Sequence, residues 1–374
     1  MEYYIVAIVS ALVTWISSAV VLKIAKRKKW HAEVRERDVH SIPTPRLGGI
    51  AMFCGLIAAV VAVYFVPIVR DTLRNDTAVF GVLTATCLIA VVGIIDDIYD
   101  IDWMLKLGAQ IGAASLLAWQ GVQILSLPFG STLIVVSPIV NLVLTVLLIV
   151  AVMNAVNFID GLDGLAAGFT LISSGFFFVY TRILADTAGQ NSAITFAGLI
   201  AASTFGMCLG FLPWNLHRAK LFMGDTGALL VGFLLAAATI SVTGQLNPGA
   251  LNQKLVLASY IPIILPFALL LLPLADMLLA VIRRIRAGRS PFKPDRKHLH
   301  HRLLDYGHSH LQVVIIFHLW TVTIALSCLL VFVLQSFLLP AIIFISGSLL
   351  CLLITVLPAQ RVVAKLRTRR ESTV

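Results

Sequence analysis

Eleven stretches of roughly twenty apolar residues succeed one another along this 374-residue chain, near 3–23, 47–67, 78–95, 104–121, 134–156, 164–184, 193–212, 227–243, 255–282, 312–333 and 337–357. A helix needs about 20 such residues to cross a hydrocarbon layer about 30 Å thick, and only a helix or a closed barrel satisfies its own backbone there. The expected fold is an all-α polytopic integral membrane protein of about eleven transmembrane helices, one domain over residues 1–374. With 59% apolar and 12% charged residues the chain lies outside the composition of soluble domains. The first stretch lacks the basic start and small-residue cleavage site of a signal peptide, so it is expected to stay as a helix.

Basic residues orient the spans, because Lys and Arg of short loops remain in the cytoplasm. With the N-terminus outside, 24 of the 28 Lys and Arg fall on the inner side: within Lys23 to Arg46, at Lys106, at Arg218 and Lys220, within Arg283 to Arg302 and within Arg361 to Arg370. Only Arg70, Arg74, Arg182 and Lys254 fall outside. One missed span would invert everything after it, so the bias argues for the count as well as the direction. The C-terminus is then cytoplasmic, with a His- and Arg-rich loop at about 283–311 and a basic tail at about 358–374. The net charge of +10 gathers on this inner rim, where it suits anionic headgroups and anionic substrates. No nucleic-acid module is visible, and none is expected as a partner. The five Cys all fall in predicted spans without a Cys-x-x-Cys pair, against a disulfide framework or thiolate metal site.

Two segments depart from the plain helical pattern. Val122, Ile124 and Leu127 alternate around Pro128 and Gly130, the pattern of a short hairpin on the outer side. The ninth stretch is longer than a bilayer core and contains Pro262, Pro266 and Pro273, each of which removes a helical donor. A kinked or broken helix opening a groove to lipid is expected there, with a tilted, packed helix as the alternative.

All the acidic and histidine-rich motifs fall on the predicted cytoplasmic face. Asp96, Asp97, Asp100, Asp160, Asp163 and Asp225 put six carboxylates there, which repel one another unless cations intervene. In helical geometry Asp96 and Asp100 share a face, as do Asp160 and Asp163. Asp163, ahead of Gly164 and a fresh apolar run, also reads as a helix cap. Clustered hard oxygens with open positions suit Mg²⁺, or Mn²⁺ in its place, shared with a substrate phosphate. Asp225, between Gly224 and Thr226-Gly227, stands where backbone can come close to a metal or phosphate. His298, His300 and His301 with Arg296, Lys297 and Arg302 make a compact cationic loop for phosphate oxygens. Zinc ligation is the competing reading, though a His-x3-His pair is absent. Asn154 and Asn157 form one helical stripe with Asp160, and Asn215 and Phe222 lie in a short inner loop able to hold a nucleobase. Arg46 and Gly48-Gly49 open the second span. Asp276, deep in the ninth, reads as the structural partner of a neighbouring helix.

The ordered motifs Pro45-Arg46-Leu47-Gly48-Gly49, Asp96-Asp97-Ile98-Tyr99-Asp100, Asn154 to Gly164, Phe222 to Gly227 and His298-Leu299-His300-His301-Arg302 resemble the polyprenyl-phosphate N-acetylhexosamine-1-phosphate transferases, glycosyl transferase family 4. The resemblance runs from about Arg35 to Arg302. It implies a bacterial, multi-pass enzyme of the cytoplasmic membrane that moves a sugar 1-phosphate from a UDP-sugar to undecaprenyl phosphate with Mg²⁺. Carried over, Asp225 and Asp96 are expected to hold the metal, and Asp97 to deprotonate or position the lipid phosphate. Asp96, Asp97, Asp100, His298 and His301 are then the catalytic candidates. Arg46, Lys106, Asn154, Asn157, Asp160, Asp163, Asn215, Phe222, His300 and Arg302 are the candidates for binding uridine, sugar phosphate or lipid phosphate. Homodimerisation is a further implication. The His-Leu-His-His-Arg loop, the eleven spans and the basic tail resemble the branch that uses UDP-N-acetylglucosamine to begin teichoic acid, O-antigen or related glycans. Phospho-N-acetylmuramoyl-pentapeptide transferase is the alternative within the family, and an ion-coupled secondary transporter the alternative outside it. Transporters place their carboxylates near the midplane of repeated halves, and neither feature is apparent here.

Overall fold

The computed structural model describes residues 2–28, 30, 44–65, 77–124, 126–129, 132–135, 137–188, 192–243, 261–286, 288 and 298–357. The helices are α1 (Glu2–Lys28), α2 (Gly48–Val63), α3 (Thr77–Tyr99), α4 (Trp103–Trp119), α5 (Pro138–Ile159), α6 (Leu165–Ala188), α7 (Ser192–Asn215), α8 (Gly224–Thr243), α9 (Ile261–Arg286), α10 (Leu299–Asp305), α11 (His310–Leu334) and α12 (Leu338–Val356). Each of the eleven apolar stretches overlaps one helix of 16 residues or more, and α10 is a short addition in the His loop. Among the described residues, eight helices are long and apolar enough to cross a membrane, and α2 is a shorter apolar helix. The chain is a multi-pass membrane protein. The outward faces of α1 (Tyr4, Ile5, Ile8, Leu12) and α12 (Leu338, Ile342, Ile345, Leu349) are exposed, as lipid-facing surfaces are.

Helix α8 is the centre of the molecule. It packs against α2, α3, α5, α7 and α9, and nearly all its side chains are buried. Its sequence explains this position: Ala228, Ala236, Ala237, Ala238 and Gly232 let neighbouring backbones approach, so dispersion and close packing replace the hydrophobic effect that lipid cannot supply. Outside it, α1 packs on α2 and α7, α6 on α7 and α11, and α12 on α11. Hydroxyls inside the bundle return to their own helix, as Thr86 to the Val82 carbonyl at 2.7 Å, Thr239 to Leu235 at 2.8 Å and Ser241 to Ala237 at 2.7 Å. Ser10 instead crosses from α1 to the Ser203 carbonyl of α7 at 3.0 Å.

The helix ends are set by local chemistry. Asp102 caps α4 by accepting from the Met104 N–H at 2.8 Å, Pro138 opens α5, and Ser309 with Gln312 forms a reciprocal capping box at α11. The expected hairpin is present as β1 (Ser126–Phe129) paired antiparallel with β2 (Thr132–Val135), a small exception to the all-α expectation. In the ninth stretch the expected break does not appear. Helix α9 is continuous across Pro262, Pro266 and Pro273, the first of these lying in the opening turn, where no helical donor is lost. Residues 255–260, the basic segment 31–43, Arg70, Arg74, Lys254, Arg296, Lys297 and the tail 358–374 lie outside the described residues.

Candidate active site

The C-terminal ends of α3 and α5 and the N-terminal ends of α4 and α8 converge, bringing Asp96, Asp97, Lys106, Asn157 and Asp225 together. Asp225 stands in the first turn of α8, where the unpaired N–H groups and the helix dipole favour negative charge. Gly224 makes the entry: its φ is +70°, and a Cβ there would stand 2.0 Å from the Arg46 carbonyl and 2.6 Å from an Asp97 carboxylate oxygen. The backbone of the Pro-Arg-Leu-Gly-Gly motif secures the same turn. Phe222 N–H donates to the Pro45 carbonyl at 2.8 Å, while Gly48 and Gly49 donate to the carbonyls of Phe222 and Met223 at 2.9 and 2.8 Å.

Asp97 has a structural task that the sequence did not suggest. Its Oδ1 accepts from the Asp225 N–H at 2.7 Å, and its Oδ2 accepts from the Thr226 N–H at 3.2 Å and the Thr226 hydroxyl at 2.6 Å. With both oxygens engaged it caps α8 from another helix, a role beside the expected one of deprotonating or positioning the lipid phosphate. Asp225 Oδ1 accepts from Asn157 Nδ2 at 3.1 Å. The Lys106 ammonium bridges Asp225 Oδ2 and Asp96 Oδ2, the latter at 2.6 Å. The remaining Asp96 oxygen accepts from the Ile101 N–H at 3.1 Å.

Asp96, Asp97 and Asp225 each offer an oxygen to a group whose members lie within 4.8 Å of one another. Three hard oxygen donors at a helix N-terminus fit Mg²⁺ or Mn²⁺. Because Asp97 is engaged with α8, the Oδ2 atoms of Asp96 and Asp225 are the ones that could hold a cation, and the Lys106 ammonium lies between them. Asp100 does not join. Helix α3 ends at Tyr99, and Asp100 turns out at φ +53°, exposed, so the shared face with Asp96 is lost.

The shared face of Asp160 and Asp163 fails for the same reason, since α5 ends at Ile159. Burial pushes Asp160 up to about 7, with the charges of Asp225 and Asp163 adding to the effect and Arg46 opposing it. Arg46 therefore belongs to the neighbourhood of this carboxylate. Asp163 is buried and accepts from the Ala219 N–H at 3.1 Å, with His217 Nδ1 at 3.8 Å, so it shapes the 216–220 loop. Asn215, expected on the substrate side, is a buried staple: its Oδ1 accepts from Gly164 N–H at 3.0 Å and its Nδ2 donates to the Leu221 carbonyl at 3.1 Å. Asn154 is likewise spent within the protein, donating to Gln110 Oε1 at 2.5 Å and to the Val150 carbonyl at 2.8 Å.

The histidine loop divides in two. Asp276 of α9 anchors its start, with Oδ1 accepting from the Leu299 N–H at 2.9 Å and Oδ2 lying 3.3 Å from His298 Nδ1. The His298 ring packs on Phe158 at 5.1 Å, and Arg284 lies over the other partner of this stack, 5.8 Å from the Phe158 centroid. His300 is buried against Gly161, where a Cβ would stand 2.5 Å from its Nε2. Burial, with His301 and His298 beside it, pushes His300 down to about 3 against the pull of Asp276. Within the described part of the loop His298 and His300 are buried and Arg302 is exposed. Sequence reasoning missed Gln110 and Thr226 as site residues. A lone Gln one turn after Lys106 in an apolar helix was the available signal for the first.

Comparison with known proteins adds to this geometry. The family model described as glycosyl transferase family 4 matches residues 79–243, which contain the whole carboxylate cluster. A decaprenyl-phosphate N-acetylglucosaminephosphotransferase of Mycobacterium leprae is 39% identical over 327 residues, covering 87% of this chain and 82% of the relative. The protein of that description from Mycobacterium tuberculosis is 41% identical, over 87% of this chain and 81% of the relative. A probable undecaprenyl-phosphate N-acetylglucosaminyl 1-phosphate transferase of Bacillus subtilis is 33% identical over 83% of this chain and 80% of its own length.

Proposed function

Because the chain belongs to the polyprenyl-phosphate N-acetylglucosamine-1-phosphate transferases of glycosyl transferase family 4, we propose that it transfers N-acetylglucosamine 1-phosphate from UDP-N-acetylglucosamine to a polyprenyl phosphate, releasing UMP. The observation that carries this reading is the meeting of Asp96, Asp225, Lys106 and Asn157 at the N-terminus of α8. The acceptor phosphate oxygen attacks the β-phosphorus of the donor. The bond from that phosphorus to the bridging oxygen breaks, and the oxygen leaves with UMP. Asp225 and Asp96 would hold the divalent cation. A bound Mg²⁺, or Mn²⁺ in its place, would neutralise the pyrophosphate and polarise the bond that breaks. Asn157 orients Asp225, Asp97 fixes α8, and Lys106, His301 and Arg302 receive phosphate oxygens. Positioning and electrostatics thus supply the catalysis, as phosphoryl transfer requires.

The membrane frame belongs to the same proposal: eleven crossings, N-terminus outside, and the site on the cytoplasmic face of a bacterial membrane, where the UDP-sugar is available. Among the relatives named above, those of higher identity are described as decaprenyl-phosphate enzymes, which draws the acceptor toward decaprenyl phosphate. An undecaprenyl acceptor has the Bacillus relative of lower identity on its side, and a teichoic-acid product rests on the resemblance of the His loop alone. UMP release by the purified full chain with Mg²⁺ tests both levels. Turnover of UDP-N-acetylglucosamine with either lipid supports the reading, and the faster lipid identifies the acceptor. Turnover of UDP-N-acetylmuramoyl-pentapeptide instead would move the chain to peptidoglycan synthesis, and turnover of neither donor would reopen the transporter alternative.

A further inference from the structure

We infer that Lys106 is an exchangeable counter-ion: its ammonium and a divalent cation compete for the Oδ2 atoms of Asp96 and Asp225, and cation binding expels the ammonium toward the incoming phosphates. This rests on the transferase reading of the same carboxylates. The ammonium lies between the two Oδ2 atoms, 2.6 Å from that of Asp96, while Asn157 and the Ile101 N–H hold the Oδ1 atoms. One positive charge cannot balance three carboxylates, so the triad still attracts a cation with Lys106 in place. A doubly charged ion on the same oxygens would stand at contact distance from the ammonium, where repulsion outweighs what remains of its attraction to the acids. The lysine has somewhere to go. Its side chain is 23% exposed and that of Asp225 30% exposed, so this edge of the cluster is open, and the four-carbon stem swings without moving the backbone. Gln110, buried on the next turn of α4 and bonded to Asn154, keeps that backbone fixed while the side chain moves.

The test reads cation binding directly, by titrating the detergent-purified full chain with Mn²⁺ and following the free ion by electron paramagnetic resonance. Lys106→Met should bind Mn²⁺ at least about tenfold more tightly than the wild type while losing UMP release. Asp225→Asn should bind it much more weakly. Equal or weaker binding by Lys106→Met, with the Asp225 dependence intact, overturns the exchange and leaves the transferase cation site standing. Undiminished binding by Asp225→Asn overturns that site itself, and the exchange with it. A second measurement needs no variant: with Mn²⁺ present, an amine-reactive reagent should label Lys106 of the wild type faster, read by mass spectrometry. Unchanged or slower labelling under saturating Mn²⁺ also overturns the exchange.

Discussion

Asp97 and Asp225 touch each other, yet their substitutions should part company. Asp97→Ala removes the acceptor for the Asp225 N–H, the Thr226 N–H and the Thr226 hydroxyl, so it should cost about 1–2 kcal/mol of stability as a lost helix cap does. Asp225→Asn keeps the backbone of the turn and should lower UMP release by about a hundredfold or more with little change in melting temperature. Thermal unfolding of the two variants in one detergent decides the matter; identical melting temperatures would remove the capping role. His300 gives a pH prediction at the same scale. Its pKa falls from 6.5 to about 3 on folding, so the unfolded chain binds the extra proton and stability is lost as pH drops below about 6.5 toward 3. His300→Gln should flatten that acid-side loss in melting temperature while leaving the rate profile between about pH 6 and 8 unchanged, because the wild-type ring is neutral there. A rate profile that shifts with the substitution would mean that His300 titrates during turnover.

At the scale of elements, the site is a closed circuit of side chains. Lys106 reaches Asp225, Asn157 reaches Asp225 from α5, and one turn away on the same two helices Gln110 meets Asn154. The Gln110–Asn154 bond thus fixes the height of α4 against α5. Gln110→Leu should lower kcat about tenfold with KM for the UDP-sugar little changed, and the exchanged pair Gln110→Asn with Asn154→Gln should recover most of it. Failure of the exchanged pair together with loss of fold would assign the bond to stability alone. This circuit marks the edge of what sequence reading reached. Hydropathy found every long helix among the described residues, because a membrane fixes span length. Spacing then placed Asp100 with Asp96 and Asp163 with Asp160, and both pairs failed because the helices end at Tyr99 and Ile159; no glycine or proline announces the first end, while Gly161, just past the second, was a signal not used. Asn154 and Asn215 looked like ligand contacts since a polar side chain near a membrane invites a function. Their partners, Gln110 and the Gly164 and Leu221 backbone, come from distant segments that no local pattern connects.

For the molecule as a whole, the carboxylate cluster lies at one end of the bundle, and Ser137, at the other end of α5, is exposed. In a background without the five native cysteines, Tyr306→Cys should react with an impermeant maleimide only in inverted vesicles and Ser137→Cys only in right-side-out ones. Reaction of both from one side would overturn the eleven-span topology. The motif order was legible along the chain because each motif sits at a helix end on one face. Their convergence on α8 was not, since nothing in the sequence says which helix lies in the middle. That central position also orders the protein's birth. Arg46, Asp97, Lys106 and Asn157 all leave the ribosome before Asp225, and the donors that satisfy Asp97 belong to α8 itself. Until Gly224 and its helix enter the bilayer, Asp97 is a carboxylate at the membrane boundary without those partners. A nascent chain halted before that point is therefore inert and conspicuous, a target for membrane quality control rather than a partly working enzyme.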